Sequence, residues 1–486
     1  MGQNNIEREE VVSYVEGVKM LTNGVFTYPR DFELTGEVVQ AFIDLHTTHL
    51  LPTYLENEKM YLGQHEIFDK RASDVGKPNN QIMVNFAEYI VDTFNGYFAG
   101  IPVKISIDDE ATNALIQTFN EISDLDDNLA ELSKLTAIYG KAFAFFYQGE
   151  DAQTYLTYNN PTDMFVVYDD TVAQRPLFAV RFWRNDWKDT TIQGTVYKNN
   201  MEYEYHYNDK GTNLLEGVIT TNPSIPVIEF VENDQRQSVF QNVKTQINAF
   251  NKALSEKADD LEYFADAYMY VIGALIDKGS MGDLHKKRLL QVKGDGSNLV
   301  QLGFMERPDS DMTQENFLNR VQELIFQMAK VTNINDDTFG TASGIALEYK
   351  LNDMKNLAIN KERKFTSGLK QVFKYWFSVP RNVPATMVSE WSTITYTFTR
   401  NMPRNVSEEI TNAKNSDGIL SEETRLGMIS SVSNVQEEME RLAAEKEENM
   451  KNMIGVGMPQ IGENVSLAKS DTNPDGDVEA NPTAKE

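Results

Sequence analysis

Cysteine is absent from the 486 residues of this chain. A chain without thiols has no disulfide bond, no thiolate zinc site, no iron–sulfur cluster and no cysteine nucleophile. Long apolar runs are also absent, since none approaches the roughly 18 residues that a membrane-spanning helix requires. Residues 1–20 lack the basic segment and the apolar core of a signal peptide. These absences predict a soluble, unsecreted protein made in a reducing compartment.

Positive charge is scarce, because 45 Lys and Arg residues face 73 Asp and Glu residues and leave a net charge of −28 at pH 7. Proteins that wrap nucleic acid gain much of their affinity by neutralising phosphates with basic side chains. We do not expect such a surface over most of this molecule. Any DNA partner must therefore be accommodated without tight binding to its phosphates.

Motifs for nucleotide hydrolysis and acyl transfer are missing as well. The chain has no G-x-x-x-x-G-K-S/T loop, and the nearest fragment, Gly76-Lys77, is followed by Pro78. Residues 340–344 (GTASG) place their serine one position too late for a nucleophile elbow and follow no strand pattern. We expect neither an ATPase motor nor a serine hydrolase, and we interpret residues 340–344 as a flexible loop.

Two patterns resemble metal sites without completing one. His46 and His49 lie three positions apart on a predicted helix, but no further ligand follows at a recognisable spacing. Residues 471–476 begin like a calcium loop, but its twelfth position is Pro482 instead of glutamate. Ordinary histidines and an acidic tail are the better interpretations, and we predict neither a metal nor a cofactor.

Several aspartates could form paired carboxylates for acid–base or metal-assisted chemistry. The candidates are Asp92, Asp108, Asp109, Asp169 and Asp170. Nothing in the sequence brings these residues together, so solvated turns are the favoured interpretation. A metal-dependent nuclease or nucleotidyltransferase built on Asp169 and Asp170 is the enzyme alternative.

Hydrophobic periodicity divides the first half of the chain into helical and extended regions. Apolar residues recur at helical spacing over residues 38–98 and again over 111–139, with a short strand at 103–107 between them. Residues 155–231 change to the alternation of an antiparallel sheet with one buried face, and Asn199-Asn200 offers turn chemistry. The first half therefore predicts helices followed by a sheet.

Three long amphipathic helices are predicted next, over residues 239–268, 313–331 and 345–377. Between the first two, residues 269–311 predict a small α/β insert. Between the last two, residues 333–344 predict a polar loop punctuated by glycine. Judged by periodicity alone, these three are ordinary amphipathic core helices.

The C-terminal part predicts one more strand and then acidic helices. Residues 391–400 alternate apolar side chains with threonines, so we expect a strand that returns to the earlier sheet. Residues 405–450 predict acidic helices, the last of which opens with a capping box at Ser433 and Gln436. Residues 451–486 predict a disordered tail. The fold class predicted by these patterns is α+β.

Four runs in the sequence are similar to segments of one protein family. They are KPNNQIMVNFAEYIVDTFNGYFAGIPV (residues 77–103), NNPTDMFVVYDD (159–170), AFNKALSEKADDLEYFADAYMYVIG (249–273) and TASGIALEYKLNDM (341–354). In these runs and in their order the chain resembles the portal proteins of tailed bacteriophages, specifically phages with a long, non-contractile tail. The resemblance extends from about Phe42 to Met450.

This resemblance implies an α+β portal fold assembled as a ring, usually of twelve subunits, around a tunnel for double-stranded DNA at one vertex of the capsid. The implied segments are an N-terminal arm (residues 1–37), an α/β wing (38–233), a first stem helix (234–266), a small α/β clip (267–311), a second stem helix (312–333), a tunnel loop (334–344), a long wing helix (345–378), a wing strand return (379–404), a helical crown (405–450) and a disordered acidic tail (451–486).

The resemblance also implies candidate functional residues in three of these segments. The tunnel-loop candidates, which would face DNA, are Asn335, Asp336, Asp337, Thr338, Phe339, Gly340, Thr341, Ser343 and Gly344. The stem candidates are Lys244, Lys252, Lys257 and Lys330, and the first three either soften the tunnel's potential or pair with acidic neighbours. The clip candidates for contact with the packaging motor, the tail adaptor or exiting DNA are His285, Lys286, Lys287, Arg288 and Lys293. A solvated face is the alternative interpretation of the cluster at residues 285–288.

The function implied by the resemblance is that of a non-enzymatic channel for DNA entry during packaging and DNA exit during ejection. The implied partners are further copies of the chain, double-stranded DNA without sequence specificity, a terminase, a head–tail adaptor protein, and major capsid and scaffolding proteins, with no membrane. The implied location is the portal vertex of the virion, after synthesis in the host cytoplasm. The structural alternative is an acidic scaffold or head-completion protein that does not enclose DNA.

Overall fold

The computed structural model describes residues 11–71, 78–184, 191–208, 211–265, 269–272, 301–304, 311–333, 344–401, 406–429, 432, 435 and 438–446. The chain forms two compact units, Met1–Met402 and Pro403–Glu486. In the described residues the fold mixes helices and sheets, as the sequence predicts. None of the described helices is long and apolar enough to cross a membrane.

The α-helices of the described residues are α1 (Gly36–Leu45), α2 (Leu51–Tyr61), α3 (Phe86–Ala99), α4 (Glu110–Ile122), α5 (Leu125–Tyr139), α6 (Lys244–Ala265), α7 (Asp311–Ala329), α8 (Gly344–Ser378), α9 (Val406–Asn415) and α10 (Glu422–Gly427). The strands are β1 (Val11–Val12), β2 (Lys19–Met20), β3 (Phe26–Tyr28), β4 (Lys104–Ser106), β5 (Lys141–Gln148), β6 (Thr154–Asn159), β7 (Met164–Asp169), β8 (Pro176–Trp183), β9 (Ile192–Lys198), β10 (Met201–Asn208), β11 (Gly211–Leu214), β12 (Val218–Ile219), β13 (Val227–Val231), β14 (Met269–Ile272), β15 (Gln301–Phe304) and β16 (Thr395–Thr397).

The helical period over residues 38–98 becomes α1, a π-helical turn, α2, a 3₁₀ helix at Glu66–Asp69 and α3. Thr35 caps α1 by accepting a hydrogen bond from the backbone N–H of Val38. Asn85 caps α3 in the same way, since its side chain accepts from the backbone N–H of Glu88. These side chains satisfy backbone donors that a helix leaves without partners.

The single helix predicted over residues 111–139 is in fact two helices, α4 and α5. Asp124 lies between them in the left-handed region, with φ of 43°. Asn128 of α5 donates from Nδ2 to the carbonyl of Ser123 at 2.6 Å. Ser and Asp favour caps over helix interiors because their side chains compete for nearby backbone groups, so the break falls at the Ser123-Asp124 pair.

The larger sheet has the strand order β1-β2-β3-β7-β8-β9-β10-β11, and β12 also pairs with β10. All pairs in it are antiparallel except β3 with β7. The turn predicted at Asn199-Asn200 is confirmed, because it joins β9 to β10, whose residues Lys198 and Met201 pair. Asn199 has φ of 52°, a conformation that asparagine tolerates and that two-residue hairpins favour.

The centre of this sheet is buried on both faces, which differs from the prediction of one buried face. Phe165 and Val167 of β7 pack in the cluster that includes α1. Met164 and Val166, on the other face, pack with residues of the smaller sheet, β13-β5-β6. Alternate side chains of a strand point to opposite faces, and the second sheet covers the face that would otherwise meet solvent.

The principal hydrophobic core brings α3, α5, α6, α7 and α8 together with the smaller sheet. The ring of Phe365 in α8 lies 5.0 Å from that of Phe230 in β13 and 5.4 Å from that of Phe98 in α3. Helices α7 and α8 match the predicted helices at residues 313–331 and 345–377. Pro380 follows the end of α8, where a continuing helix would lack a backbone donor.

Helix α6 begins later than the sequence predicts, because the residues before Lys244 form a turn and one 3₁₀ segment, Gln241–Val243. In this turn Arg236 has φ of 54°. Its carbonyl oxygen would lie 2.1 Å from a Cβ atom at position 140, where Gly140 has φ of 89°. Only glycine allows the backbone to approach this closely.

The prediction that residues 391–400 return to the earlier sheet is wrong. Residues Glu390–Thr393 form a 3₁₀ turn, and β16 pairs with β4 in a separate two-stranded sheet. Ile394 is buried, and the ring of Phe398 lies 5.5 Å from that of Phe98 in α3. The apolar side chains therefore attach this segment to the helical core, where β4 also lies.

Within the predicted insert at residues 269–311, the structure describes only the ends, where β14 pairs antiparallel with β15 and Ile272 opposes Gln301. The C-terminal unit contains α9, α10 and further helical residues at 438–446. Ser421 caps α10, and Lys446 pairs with Glu422 at 3.1 Å. Ser433, Gln436 and the tail predicted at 451–486 lie outside the described residues.

Candidate stem helices and their anchoring network

Helices α6 and α7 pack against each other through an apolar stripe. The buried residues of this stripe are Ile247, Phe250, Leu318, Val321 and Ile325. On α3, the ring of Phe86 lies 5.0 Å from that of Phe250 and 5.7 Å from that of Phe326. Such edge-on aromatic pairs contribute roughly 0.5–1.5 kcal/mol beyond their buried area. The helix pair is thus fastened to the core at one end.

Polar side chains join α6 to α7 further along the pair. Lys257 of α6 forms an ion pair with Glu315 of α7. Gln314 donates from Nε2 to Asp260 Oδ2 at 3.2 Å. These contacts fix the register of the two helices where the apolar stripe ends.

A second polar face of α6 binds the extended segment of residues 78–85, and we call this contact the α6 clasp. Asn251 accepts from Val84 N–H at 2.9 Å, and Ser255 accepts from Ile82 N–H at 2.9 Å. Asp259 accepts from the backbone N–H and the side-chain amide of Asn80. Buried backbone donors need partners, and here helix side chains take the place of a neighbouring strand.

His65 extends the α6 clasp to the helices that precede it. Since Asn251 accepts from Val84 through Oδ1, its Nδ2 donates to His65 Nδ1 at 3.2 Å. His65 Nε2 then donates to Asn85 Oδ1 at 3.2 Å, while Asn85 Nδ2 donates to Tyr61 O. The arrangement therefore requires the neutral tautomer of His65 with its proton on Nε2.

The long helix α8 is held by a buried cluster that we call the helix anchor. It consists of the ion pair between Lys361 and Glu232 together with Ser133 and Thr136. Lys361 Nζ lies 2.7 Å from Glu232 Oε2, and both side chains are almost completely buried. The ammonium also donates to Ser133 O at 2.9 Å, and Thr136 donates to the same Glu232 oxygen at 3.1 Å. Burial lowers the pKa of Lys361, although the Glu232 carboxylate opposes this shift.

Aromatic rings surround the rest of the Lys361 ammonium. Its Nζ lies 5.2 Å from the ring centroids of Phe94 and Phe98 and 5.5 Å from that of Phe365. A cation over an aromatic face gains about 0.5–2 kcal/mol, more when it is desolvated. The helix anchor thus connects α8 to α5, to α3 and to Glu232, the residue that follows β13.

A second buried charge cluster, the sheet-junction network, consists of Lys141, Tyr168, Glu229 and Arg236. Arg236 donates to both oxygens of Glu229, at 2.9 and 2.7 Å. Tyr168 donates to Glu229 Oε2 at 2.9 Å, and Lys141 Nζ lies 3.8 Å from Oε1. Burial alone would raise the pKa of Glu229, but Arg236, followed by Lys141, lowers it to about 2.

The sheet-junction network connects the two sheets, because Tyr168 belongs to β7 whereas Lys141 and Glu229 belong to β5 and β13. Lys141 also donates to Gly24 O at 3.4 Å, next to β3. Its pKa is lowered to about 8 by burial, which Glu229 opposes. The network therefore fixes the sheets beneath the long helices.

Three of the predicted stem lysines pair with carboxylates inside the chain. Lys244 lies 2.8 Å from Glu56, Lys252 lies 3.9 Å from Glu256 on the same helix, and Lys257 pairs with Glu315. All three therefore have acidic neighbours within the chain, and their effect on the potential of the tunnel stays a prediction. Lys330 is exposed at the end of α7, with φ of 59°.

Apart from Gly344, the predicted positions of the tunnel loop and the clip lie outside the described residues. In the tunnel loop only Gly344 is described, as the first residue of α8. The others outside the described residues are Asn335, Asp336, Asp337, Thr338, Phe339, Gly340, Thr341 and Ser343 in the loop, and His285, Lys286, Lys287, Arg288 and Lys293 in the clip. Their proposed contacts therefore stay predictions.

His46 lies in an aromatic core, which fits the prediction of an ordinary histidine. Its Nε2 lies 2.7 Å from Pro161 O, and its ring stacks on Phe165 with centroids 5.5 Å apart. Burial lowers its pKa to about 3. His46 is therefore neutral at physiological pH and fixed by packing.

The candidate aspartates do not converge. Asp92 accepts from Tyr61 OH at 3.0 Å, Asp109 caps α4, and Asp169 accepts from Thr171 and from Arg175 N–H. In the described part of the chain no group of three or more His, Cys, Asp or Glu side chains could hold a metal ion. Asp109 thus caps a helix at an exposed position and Asp169 holds a turn, but Asp169 is buried, which differs from the predicted solvated turn.

The α6 clasp and the helix anchor were not found by sequence reasoning. Asn251, Ser255 and Asp259 recur every four residues, which puts them on one face of a helix. This spacing was the available signal, but a polar face usually meets solvent. The two sides of the clasp belong to two of the runs that carry the family resemblance, residues 77–103 and 249–273.

These contacts fix the long helices against the core and join the two sheets. The family model described as "Phage portal protein, SPP1 Gp6-like" matches residues 40–452. The chain therefore belongs to this family of phage portal proteins, whose members are structural components of the virion.

Two curated relatives are portal proteins of phages. This chain is 25% identical to that of Bacillus phage SPP1 over 445 residues, covering 84% of this chain and 86% of the relative. It is 24% identical to that of Clostridium phage phiCD119 over 376 residues, covering 70% and 79%. A chain in the solved structure of the virion of a native gene transfer agent particle aligns with 77% of this chain. The alignment covers 92% of that other chain, at 10% identity and a TM-score of 0.41. That structural likeness is too weak to support an argument.

Proposed function

We propose that copies of this chain form a ring, usually of twelve subunits, at one vertex of the capsid, around a channel for double-stranded DNA. DNA enters through this channel during packaging and leaves through it during ejection. The observation that carries this proposal is the family match over residues 40–452. In this ring, α6 and α7 are the stem, the two sheets and α8 belong to the wing, and residues 405–450 are the crown.

Charge supports passage of DNA without sequence recognition. Each copy carries a net charge of −28, and a ring of such copies presents walls of the same sign as the duplex. Like charges repel, so DNA slides along the walls and is not held by them. Pairing of the stem lysines with carboxylates keeps three cations from offering free contacts to phosphates.

The chain is proposed to act without hydrolysing anything itself, with force supplied by an ATP-driven terminase. The clip docks the terminase and, later, the head–tail adaptor, and residues His285, Lys286, Lys287, Arg288 and Lys293 are the proposed contacts. Major capsid and scaffolding proteins are the further partners. The site of action is the portal vertex of the virion, after synthesis in the host cytoplasm.

The tunnel loop is proposed to respond to movements of the wing through α8. This helix follows the loop directly and is held by the helix anchor near its middle. A rigid helix fixed at one point transmits a tilt to its ends. Deleting residues 337–341 is expected to reduce the retention of DNA in packaged heads, measured as the fraction of full heads. Unchanged retention would contradict this coupling.

The decisive experiment is electron microscopy of the purified full chain, with its mass measured by light scattering on the same sample. Rings with a channel wide enough for a duplex are expected. Closed particles without a channel would contradict the proposal and favour an acidic scaffold or head-completion protein. Magnesium-dependent cleavage of DNA that is lost on substitution of Asp169 and Asp170 would instead demonstrate an enzyme.

A further inference from the structure

The exposed side of α8 has an unusual charge for so acidic a chain. One line of exposed side chains follows the helix at steps of three or four residues, and we call it the α8 ridge. Its members are Asn352, Asn356, Asn360, Arg363, Ser367, Lys370 and Lys374. The ridge spans roughly 33 Å at 1.5 Å per residue. It contains three cations and no acidic residue.

Two of the charges beside the ridge are already paired within the chain, whereas two cations of the ridge are not. Glu362 pairs with Arg400, and Lys364 pairs with Asp234. Arg363 and Lys370 form no ion pair with any residue that the structure describes. Lys374 lies 5.8 Å from the ring centroid of Trp391. The ridge thus presents available positive charge.

A complementary surface lies on α4 and α5. Residues 105–133 contain eight acidic residues and neither Lys nor Arg. We call the exposed acidic members of this stretch the acidic hairpin: Asp108, Asp109, Glu110, Glu121, Asp124, Asp126 and Asp127. Like charges crowded on one surface repel one another, and a cationic partner relieves this repulsion.

The α8 ridge and the acidic hairpin are separate surfaces of one copy that approach each other at one end. There Lys374 lies over Trp391, and the adjacent Glu390 accepts from Thr112, which also contacts Asp109. Phe119 of α4 contacts Phe373 and Trp376 of α8, with ring centroids 6.1 and 4.9 Å apart. At 100° per residue these two positions lie roughly 80–140° around the axis from Arg363. No ion pair joins the ridge to the hairpin within the described residues. Each surface is therefore available to another molecule.

We infer that the α8 ridge of one copy docks on the acidic hairpin of the next copy. This inference rests on the proposed ring. Two different complementary surfaces on one chain form a heterologous contact, which closes into a ring when the rotation between copies allows it. A second copy accounts for both surfaces at once, whereas a duplex docked on the ridge would leave the acidic hairpin without a partner.

Charge reversal tests the inference with two double variants. Arg363→Glu with Lys370→Glu reverses the ridge, and Glu121→Lys with Asp127→Lys reverses the hairpin. Each variant alone is expected to lower the fraction of protein in rings at least about tenfold at low salt. A mixture of the two variants in equal amounts is expected to restore rings, because each ridge then meets an oppositely charged hairpin.

The matched control is Lys355→Glu, a charge reversal on the same helix but off the ridge, which is expected to leave ring formation unchanged. Thermal unfolding of every variant checks that the fold is intact. Rings of both reversed variants at wild-type yield would overturn the inference and leave the proposed ring standing. Intact rings that bind duplex DNA more weakly after ridge reversal would instead assign the ridge to DNA.

A wild type that forms no rings would contradict the proposed function separately. The inference is then decided by self-association of the monomer in analytical ultracentrifugation. The dissociation constant must rise at least about tenfold in each reversed variant and return to the wild-type value in the mixture. An unchanged constant would overturn the inference.

Discussion

The sheet-junction network and the helix anchor are both buried clusters of charge, but they differ in how completely their carboxylates are paired. Glu229 of the sheet junction receives two hydrogen bonds from Arg236 and one from Tyr168. In the helix anchor, Glu232 Oε2 pairs with the ammonium of Lys361 and accepts a hydrogen bond from Thr136. Its buried Oε1 has no hydrogen-bond partner among the described residues.

This difference indicates different mechanical roles. Burying a charge costs several kcal/mol, which good geometry and complete hydrogen bonding offset. The sheet junction meets that condition and should form a rigid base. The helix anchor meets this condition only in part, so its net contribution to the free energy of unfolding is small. Removing either charge alone is nevertheless costly, because the other charge is then buried without a partner. The anchor still fixes the position of α8 at Lys361.

The largest effect is expected from Glu229→Ala in the sheet junction. The substitution leaves Arg236 and Lys141 buried without their counter-charge, which typically costs about 3–5 kcal/mol. The measurement is the free energy of unfolding from urea titration. Glu204→Ala, at an exposed carboxylate of the larger sheet, is the control and should change this energy by less than about 0.5 kcal/mol. Equal effects of the two substitutions would refute the assignment.

The helix anchor should respond differently to single and double substitution. Lys361→Met leaves a buried Glu232 without its cation and should lower the free energy of unfolding by about 3 kcal/mol. Lys361→Met combined with Glu232→Leu removes both charges and should recover most of this loss. If the double variant is less stable than the single one, the ion pair contributes net stability despite the unpartnered Oε1 of Glu232.

Acid should weaken the sheet junction. The pKa of Glu229 is lowered to about 2 in the folded protein, against an ordinary value near 4.5. A lowered carboxyl pKa contributes stability that is present above about pH 4.5 and is lost as pH falls toward 2. At about 1.4 kcal/mol per pKa unit this amounts to about 3 kcal/mol. Urea titrations at pH 6 and pH 3 should show about 2 kcal/mol of this loss, since pH 3 still lies above the folded pKa, and a smaller loss in Glu229→Gln.

The smallest effect is expected in the α6 clasp. Ser255→Ala removes the acceptor of Ile82 N–H and should cost about 1–2 kcal/mol, because this backbone donor becomes unsatisfied. The loss should be local, so hydrogen exchange is the suitable measurement. Amide protection at Ile82 should fall, while protection in β7 and β8 should stay unchanged. Unchanged protection at Ile82 would show that the hydroxyl is dispensable.

Periodicity predicted the elements whose burial follows one regular face. Helix α8 is an example, because its buried residues recur every three or four positions, and the β9–β10 hairpin is another, because Asn199 fits its turn. Prediction failed where another part of the chain decided the outcome. Residues 395–397 alternate like any strand, yet they pair with β4 because Ile394 and Phe398 attach to the helical core.

The candidate site was predicted less completely than the fold. The stem lysines were identified from the sequence, but their partners were not, because Glu56 and Glu315 are distant from Lys244 and Lys257 along the chain. The α6 clasp was missed for a related reason. Asn251, Ser255 and Asp259 have the spacing of a solvated helix face, and only the docked segment of residues 78–85 makes that face an interior one.

The sequence by itself determined the order of the main helical and extended regions, the net acidic charge and the family, since these depend on local spacing, composition and ordered motifs. The tertiary structure alone decided which charges are buried together. Lys361 and Glu232 carry no local sign of their pairing, and neither do Glu229 and Arg236 of the sheet junction. Their interactions depend on distance in space and on desolvation, which arise only when α8, the turn before α6 and the two sheets pack around one core.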